Sequence, residues 1–499
     1  MANIADPMWE HAHAHPDRVA LRTSTEDVTY GELGHRAARF GARLRDRGVQ
    51  PGERVVLIAP TCPEFVVAYL GSQMAGAIVV TVSTMATAPE IDWILIDSQA
   101  VLVIEWHTGA AGSVAAGERG VEHLALARGA GADPGATLAQ PIARDIDDTT
   151  VLLYTSGTTG KPKGVELTIG NLGHTARVYT EQLGICEHDR LGTGLPLFHV
   201  FGQVVALMTA LNTGCPFSLL HPFTPTTMLE LIRDHQLTIV AGVPTMWIAM
   251  LHAGDQFGTQ DLLSLRLAAS GGAALPREVI RAFADRFGCT ILEGYGLTES
   301  TGAATYTSLD GEHPLGSAGQ PLPGTDIEIR GADGARAAVG EVGEIHLRGP
   351  SIMKGYWQRP DATATELSEG WLKTGDLGYL DHQQHLFIVG RLKEMIIRGG
   401  YNVYPREVEE VLYQHPGIAQ VAVIGVADSH YGQEVAAVVV LQPDHEVSAE
   451  EIRTWAKGRL SAYKVPHRFA FVDQLPVGPT GKILKRSIDP ALLSEPGGD

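Results

Sequence analysis

The chain has 499 residues, 44% of them hydrophobic and 19% charged, an ordinary globular composition with core enough for two or more domains of about 100–200 residues. A formal net charge of −19 argues against binding to a nucleic-acid backbone, without forbidding a local basic pocket for one nucleotide. Cys62, Cys186, Cys215 and Cys289 share no C-x-x-C spacing, so neither a zinc site nor a disulfide framework is expected.

Met1 to Asp17 is polar and histidine-rich and lacks the apolar centre of a secretory signal. Thr29 and Glu32 have capping-box spacing, and Leu33, Ala37, Phe40 and Leu44 then recur at helical intervals before Gly48. Val55 to Ala59, Ala77 to Val82 and Ala100 to Glu105 read as buried strands, with a helix from Glu64 to Ala75. That alternation predicts parallel sheet covered on both faces, an α/β architecture. The Ala/Gly-rich stretch from Gly109 to Pro134 has weak periodicity and reads as a surface excursion.

Val151 to Tyr154 reads as a buried strand that delivers the chain into Thr155-Ser156-Gly157-Thr158-Thr159-Gly160-Lys161-Pro162-Lys163. Glycines let backbone N–H groups approach a polyanion, hydroxyls add neutral donors, and lysine adds a point charge. It is not a Walker A loop, because only Thr158 and Thr159 separate Gly157 from Gly160. Composition leaves a phosphate cradle and a polar surface turn both open. Gly170 to Glu181 reads as a helix. The most apolar run, Val204 to Leu220, is broken by Thr209, Asn212, Gly214 and Pro216 and falls short of the ~20 residues of a membrane span. A soluble, cytoplasmic protein without a transmembrane segment is expected.

Val240 to Thr245, Leu267 to Ala273 and Gly294 to Glu299 are apolar runs ending in small or polar residues, as strands bordering a ligand crevice do in an open α/β sheet. Beyond Gly316, Ile327 to Arg330, Gly343 to Arg348 and Leu386 to Val389 read as short strands of a β-rich unit, with turns at Pro323-Gly324 and Asp333-Gly334. A final α+β segment follows Gly390-Arg391-Leu392-Lys393. It has a helix from Glu407 to Tyr413, strands at Val421 to Ile424, Val435 to Leu441 and Arg468 to Val472, and a helix capped by Ser448 and running to Leu460.

The strings YTSGTTGKPKG, LPLFHVFGQ, GYGLTES, GEIHLRGPSIMKGYW, WLKTGDLG, GRLKEMIIRGGYNVYP and PTGKILKR occur in that order. Together they resemble the adenylate-forming superfamily of acyl-CoA synthetases, luciferases and peptide-synthetase adenylation domains across nearly the whole chain. The resemblance implies a large N-terminal ATP- and acid-binding domain, residues 1–391, made of two α/β subdomains and a small β-barrel-like subdomain. A small mobile α+β lid, residues 392–499, would follow. It implies ATP, Mg²⁺ and CoA, an acyl-adenylate intermediate with release of pyrophosphate, and transfer to a thiol; it allows a homodimer.

Carried onto this sequence, the resemblance gives Thr155, Ser156, Gly157, Thr158, Thr159, Gly160 and Lys163 to the β- and γ-phosphates, Thr298 to the α-phosphate and Glu299 to Mg²⁺. Gly271, Gly272, Ala273, Gly294, Tyr295 and Gly296 would enclose adenine, and Asp376 and Arg391 would hold ribose. Lys393 would be the hinge. Lys482 would bridge carboxylate and α-phosphate when the lid closes, and by spacing alone it is one lysine among several near the C-terminus. Rotation would then bring Arg398, Gly399 and Gly400 to the site for CoA, with Lys464 and Arg398 contacting its phosphates. Thr298-Glu299 also reads as a helix start, Asp376 as a turn residue, and Gly399-Gly400 as a plain β-turn.

His199 to Val204, Val243 to Trp247, Ala268 to Gly271 and Gly302-Ala303 would line the acid pocket, with His199 beside the carboxylate or gating its entrance. These segments hold no ionisable side chain besides His199, which disfavours dicarboxylic and amino acids. Gly202, Ala268, Ala269, Gly302 and Ala303 are expected to leave room for an extended apolar tail. HVFGQ resembles medium- and long-chain fatty acid ligases, with aryl ligases close behind. Transfer to a carrier-protein thiol or an amine, activation of a non-carboxylate acid, a luciferase-like oxidase and a silent adenylate binder stand as alternatives.

Overall fold

The computed structural model describes residues 2–155, 161–253, 256–309, 314–443 and 445–493; Ser156, Gly157, Thr158, Thr159 and Gly160 of the expected phosphate loop lie outside them. Continuously apolar strands need cover on both faces, and two sheets meet that need. The first has seven strands. Its centre is parallel, in the order Thr149–Thr155, Ile78–Val82, Arg54–Ile58, Leu102–Trp106 and Glu122–Leu126. Lys163–Thr168 and Gly355–Tyr356 extend one edge antiparallel. The helix Pro63–Met74 is buried at every residue and packs beside Tyr30–Asp46. That second helix starts at the expected capping box: Glu32 N–H donates to Thr29 Oγ1 (3.2 Å) and Thr29 N–H to Glu32 Oε2 (2.9 Å), worth about 1 kcal/mol.

The second sheet has nine strands. Ile291–Tyr295, Leu267–Ser270, Ile239–Gly242, Leu191–Thr193, Phe217–Leu219 and Val19–Arg22 run parallel in that order. The apolar run expected to stop short of a membrane span is a spine of this half. It forms a π-helix, Phe201–Met208, then a helix, Thr209–Thr213, and the strand Phe217–Leu219. Among the described residues no helix is long and apolar enough to cross a membrane.

The stretch Gly109 to Pro134 is not wholly a surface excursion. It contains a helix, Ala111–Arg119, and the parallel edge strand Glu122–Leu126. Buried Glu105 caps that helix, accepting from Gly112 N (2.8 Å) and Ser113 N (2.9 Å). A Cβ at Gly109 or Gly112 would press on the Glu105 carboxyl group, so close approach explains small residues where periodicity is weak. A further helix, Ala88–Ser98, escaped the reading of the sequence.

Asp326–Arg330, Gly343–Arg348, Leu367–Ser368, Trp371–Leu380 and Leu386–Arg391 form a five-stranded antiparallel sheet. One apolar cluster spans the three sheets up to Leu386. After it, Ile396–Arg398, Tyr401–Val403, Ile418–Asp428, Gly432–Leu441 and Arg468–Phe471 make another sheet. This has its own core on each face, Val421, Val423 and Ala437 on one, Ala422, Ala436 and Val438 on the other, the alternation that a pleated strand imposes. The result is a mixed α/β chain with a large N-terminal part and a small C-terminal one.

Candidate functional site

Strands of the second sheet end at Ser270 and Tyr295, and the antiparallel sheet presents Asp376 and Arg391 to the same crevice. Tyr295 Oη donates to Asp376 Oδ2 (2.8 Å), and Arg391 Nε lies 2.9 Å from Asp376 Oδ1. Three residues from separate motifs thus form one unit. Burial pushes the Tyr295 phenol well up, with the neighbouring Asp376 charge adding to it. Burial also raises Asp376, opposed first by Arg391 and then by the Tyr295 hydroxyl. The backbone is tied too: Thr374 Oγ1 accepts from Asp376 N (3.0 Å), and Glu344 Oε1 from Gly375 N (3.1 Å).

Gly294 and Gly296 serve packing around Tyr295. A Cβ at Gly294 would lie 2.5 Å from the Tyr306 ring, and one at Gly296 2.4 Å from the Gly302 carbonyl oxygen. Gly271 lets the Phe201 ring lie against the chain, where an added Cβ would stand 3.2 Å away. Ala273 is exposed beyond it.

Thr298–Ser300 is a single 3₁₀ turn following Tyr295. Glu299 Oε1 accepts from Tyr356 Oη (3.0 Å), and its carbonyl from Met353 N (2.9 Å). Burial raises the Glu299 carboxyl, and the Tyr356 hydrogen bond only partly offsets it. Among the described residues no cation lies within ion-pair distance of Glu299, and no cluster of three metal-ligating side chains occurs. A half-buried carboxylate with no cation in ion-pair contact is a hard oxygen donor of the kind Mg²⁺ takes. The residues therefore fit that ion. Tyr356 belongs to the KGYW segment but was not singled out; nothing in the sequence marks a tyrosine as the partner of a carboxylate 57 residues away.

Lys482 comes from the C-terminal part and lies in the N-terminal crevice. Gly481, at φ +77°, turns the chain inward, and Thr245 Oγ1 donates to the Gly481 carbonyl (2.8 Å). A Cβ at Gly272 would stand 3.0 Å from Lys482 Cε, so glycine makes room for the lysine. Burial, then the Arg391 charge, pulls the Lys482 ammonium down to about 8, against the attraction of Asp376 and Glu299. Lys482 and His199 face one cavity of about 10 Å³, with Leu195, Phe201, Val243 and Thr480 around them. His199 Nδ1 accepts from Phe201 N (3.3 Å), which leaves the proton of the neutral ring on Nε2. Burial, then Lys482, pushes His199 down to about 3, so the ring is neutral at ordinary pH.

The small residues expected to open an acyl tunnel do not do so. Ala268 and Ala269 are 0% and 1% exposed within core clusters. A Cβ at Gly202 would lie 2.6 Å from the Pro196 carbonyl oxygen, and one at Gly302 3.2 Å from Val200. Smallness here serves close packing, and the free space beside His199 is about that of one water.

Other expected residues are elsewhere. Arg398 pairs with Glu434 (Nη2 to Oε2 2.8 Å) and lies over the Tyr431 ring. Gly399 and Gly400, at φ +56° and +87°, form the exposed turn of a hairpin. Lys464 pairs with Glu407. Lys393 is exposed in the turn between the last strand of the N-terminal part and the first of the C-terminal one. Thr155 ends the strand Thr149–Thr155, opposite Lys163, whose ammonium lies 4.9 Å from the Tyr356 ring centre. Glu293 was not anticipated. It is buried, accepts from Leu275 N (3.1 Å), and is pushed up to about 7 by burial.

Residues 8–357 match the AMP-binding enzyme family, and residues 407–482 match the AMP-binding enzyme C-terminal domain. The chain belongs to the AMP-binding enzyme family. It is 37% identical to a feruloyl-CoA synthase of an Amycolatopsis species over 484 residues, 96% of each chain. With a long-chain-fatty-acid–CoA ligase of Bacillus subtilis it shares 34% identity, covering 96% of this chain and 93% of that one. ATP-bound MatB from Rhodopseudomonas palustris superposes with a TM-score of 0.90 at 31% identity, covering 97% of this chain and 98% of that one. Apo MatB from the same species superposes with a TM-score of 0.80 at 30% identity, covering 97% of this chain and 98% of that one.

Proposed function

We propose that the protein is an AMP-forming acid–thiol ligase acting on an apolar carboxylic acid, fatty or aryl, with CoA as acceptor. The observation that carries this is Lys482, delivered from the C-terminal part into the cavity that His199 lines and within the field of Asp376 and Glu299. A carboxylate oxygen would attack the α-phosphorus of ATP, and pyrophosphate would leave. The sulfur of CoA would then attack the acyl carbon, and AMP would leave.

The attack brings two anions together, so positive charge and fixed donors must oppose it. Lys482 supplies the charge there. Its partly buried ammonium would act chiefly when negative charge builds between the reactants. Thr298 would donate to the α-phosphate. Neutral His199 can donate from Nε2 to the acid without competing with Lys482 for its negative charge. Asp376 would accept from the ribose hydroxyls with the lone pairs that Tyr295 and Arg391 leave free. Thr155 and Lys163 would hold the leaving phosphates together with residues 156–160. Mg²⁺ on Glu299 would supply charge neutralisation at the phosphates.

The thiol step needs Lys482 withdrawn and Gly399-Gly400 brought in, which assigns rotation to the exposed turn at Lys393 and the domain boundary to residues 391 and 392. The cysteines are free thiols, in keeping with a cytoplasmic enzyme. The names of two relatives, feruloyl and long-chain fatty acid, agree with an apolar acid, and the expected pocket segments hold no ionisable side chain besides the neutral His199, which argues the same way. The test is pyrophosphate release across fatty, aryl, short-chain and amino acids, with and without CoA. Release with fatty or aryl acids, and thioester only when CoA is added, is the expected result. Release confined to amino acids, or thioester formed only on a carrier protein, would contradict it.

A further inference from the structure

Two antiparallel strands, Thr149–Thr155 and Lys163–Thr168, flank the expected phosphate loop, and the helix Ala88–Ser98 lies against Tyr154 of the first and against Lys161 and Pro162, which lead into the second. Ile91, Ile94 and Leu95 bury one face of that helix in the core. Trp93 and Asp97, one helical turn apart and so neighbours on one side, face the flanks instead. Trp93 Nε1–H donates to the Pro162 carbonyl (3.2 Å), and the Lys161 ammonium sits 3.9 Å from the Trp93 ring centre. Asp97 Oδ2 accepts from Tyr154 Oη (2.9 Å), and Asp97 Oδ1 lies 2.5 Å from Arg359 Nη2.

We propose that Trp93 is a positioning residue for ATP, clamping the outgoing flank of the phosphate loop through Lys161 and Pro162 while Asp97 fixes the incoming flank through Tyr154. This rests on the adenylation reading of the loop. The core contacts of the helix do not need Trp93, whose side chain is only partly buried. Its polar atom and its ring meet adjacent residues of the flank, and a packing role requires neither contact. Lys161 is exposed, so the ring face is what orients its cation. With Lys161 held on Trp93, Lys163 is the lysine left to turn toward Tyr356 and the Glu299 side of the crevice. The two lysines that bracket Pro162 then have different duties, one as anchor and one as ligand.

The clamp predicts that Trp93→Leu raises the KM for ATP about tenfold while kcat at saturating ATP and the KM for the acid change less than about twofold. Trp93→Phe keeps the ring and loses the N–H, so it should recover most of that loss. Lys161→Met in the Trp93→Leu background should add little, because the partner is already gone; in the wild-type background it should raise the KM for ATP by a similar factor. Full enzyme, ATP and an acid found active in the pyrophosphate screen are the reagents. An active wild type whose KM for ATP is unmoved in Trp93→Leu overturns the clamp alone. So do fully additive effects of Lys161→Met and Trp93→Leu, or equal changes in every kinetic parameter. A wild type that releases no pyrophosphate with any acid overturns the adenylation reading and the clamp with it.

Discussion

The proposed nucleotide side and the proposed acid side of the crevice are built by different physics. The nucleotide side is polar and tied: Asp376 receives a phenol and a guanidinium at once, and its backbone is held by Thr374 and Glu344. The acid side is apolar and closed, with Phe201 against Gly271 and about 10 Å³ of space beside His199. Directional bonds demand particular residue types at particular places; close packing demands only that volumes match. The first side is therefore built for one ligand class, and the second can change its ligand by changing volume.

That contrast breaks most visibly at Asp376. Asp376→Asn should raise the KM for ATP about 10- to 100-fold in pyrophosphate exchange, because it removes a charge-assisted acceptor and leaves Arg391 without its partner. Tyr295→Phe removes one neutral donor and should cost only about 3- to 10-fold. Equal effects would mean that the unit is not held by charge.

The contact between the sides is Lys482. Its ammonium, pulled down to about 8 by burial, is present below that pH and lost as pH rises through it. In the free enzyme, kcat/KM for adenylation should fall about tenfold per pH unit above about 8, and Lys482→Arg should remove that limb. His199, held near 3, is already neutral and cannot cause it. Glu293 titrates nearby, and Glu293→Gln should leave the limb in place.

On the acid side, Phe201→Ala should raise kcat/KM for the bulkier members of an acid series by about tenfold, with the KM for ATP changed less than about twofold. A change confined to ATP would show that the two sides are one.

The same physics decides what the sequence discloses. Tyr295, Asp376 and Arg391 sit in separate motifs whose residue types announce polar chemistry, and the structure joins them. Tyr356 and Trp93 act through residues far along the chain, Glu299 and the Lys161-Pro162 flank, and Glu105 acts by capping the start of the Ala111–Arg119 helix. No local pattern encodes such pairings. Gly202 and Ala268 read as openings in the sequence because a small residue signals either a space or a close approach, and only the neighbour decides which. The helix Ala111–Arg119 is hidden for that reason, Gly112 and the preceding Gly109 being cut to the carboxyl group of Glu105.

The central claim is that one chain performs two half-reactions and that Lys482 serves only the first. Its most direct test times the half-reactions separately in Lys482→Ala. Pyrophosphate release from ATP and acid should fall by about 10²- to 10³-fold, while thioester formation from supplied acyl-adenylate and CoA should stay within about tenfold of wild type. Lys393→Pro should show the converse, with adenylation spared and thioester formation lost. Equal loss of both half-reactions in Lys482→Ala would contradict the account.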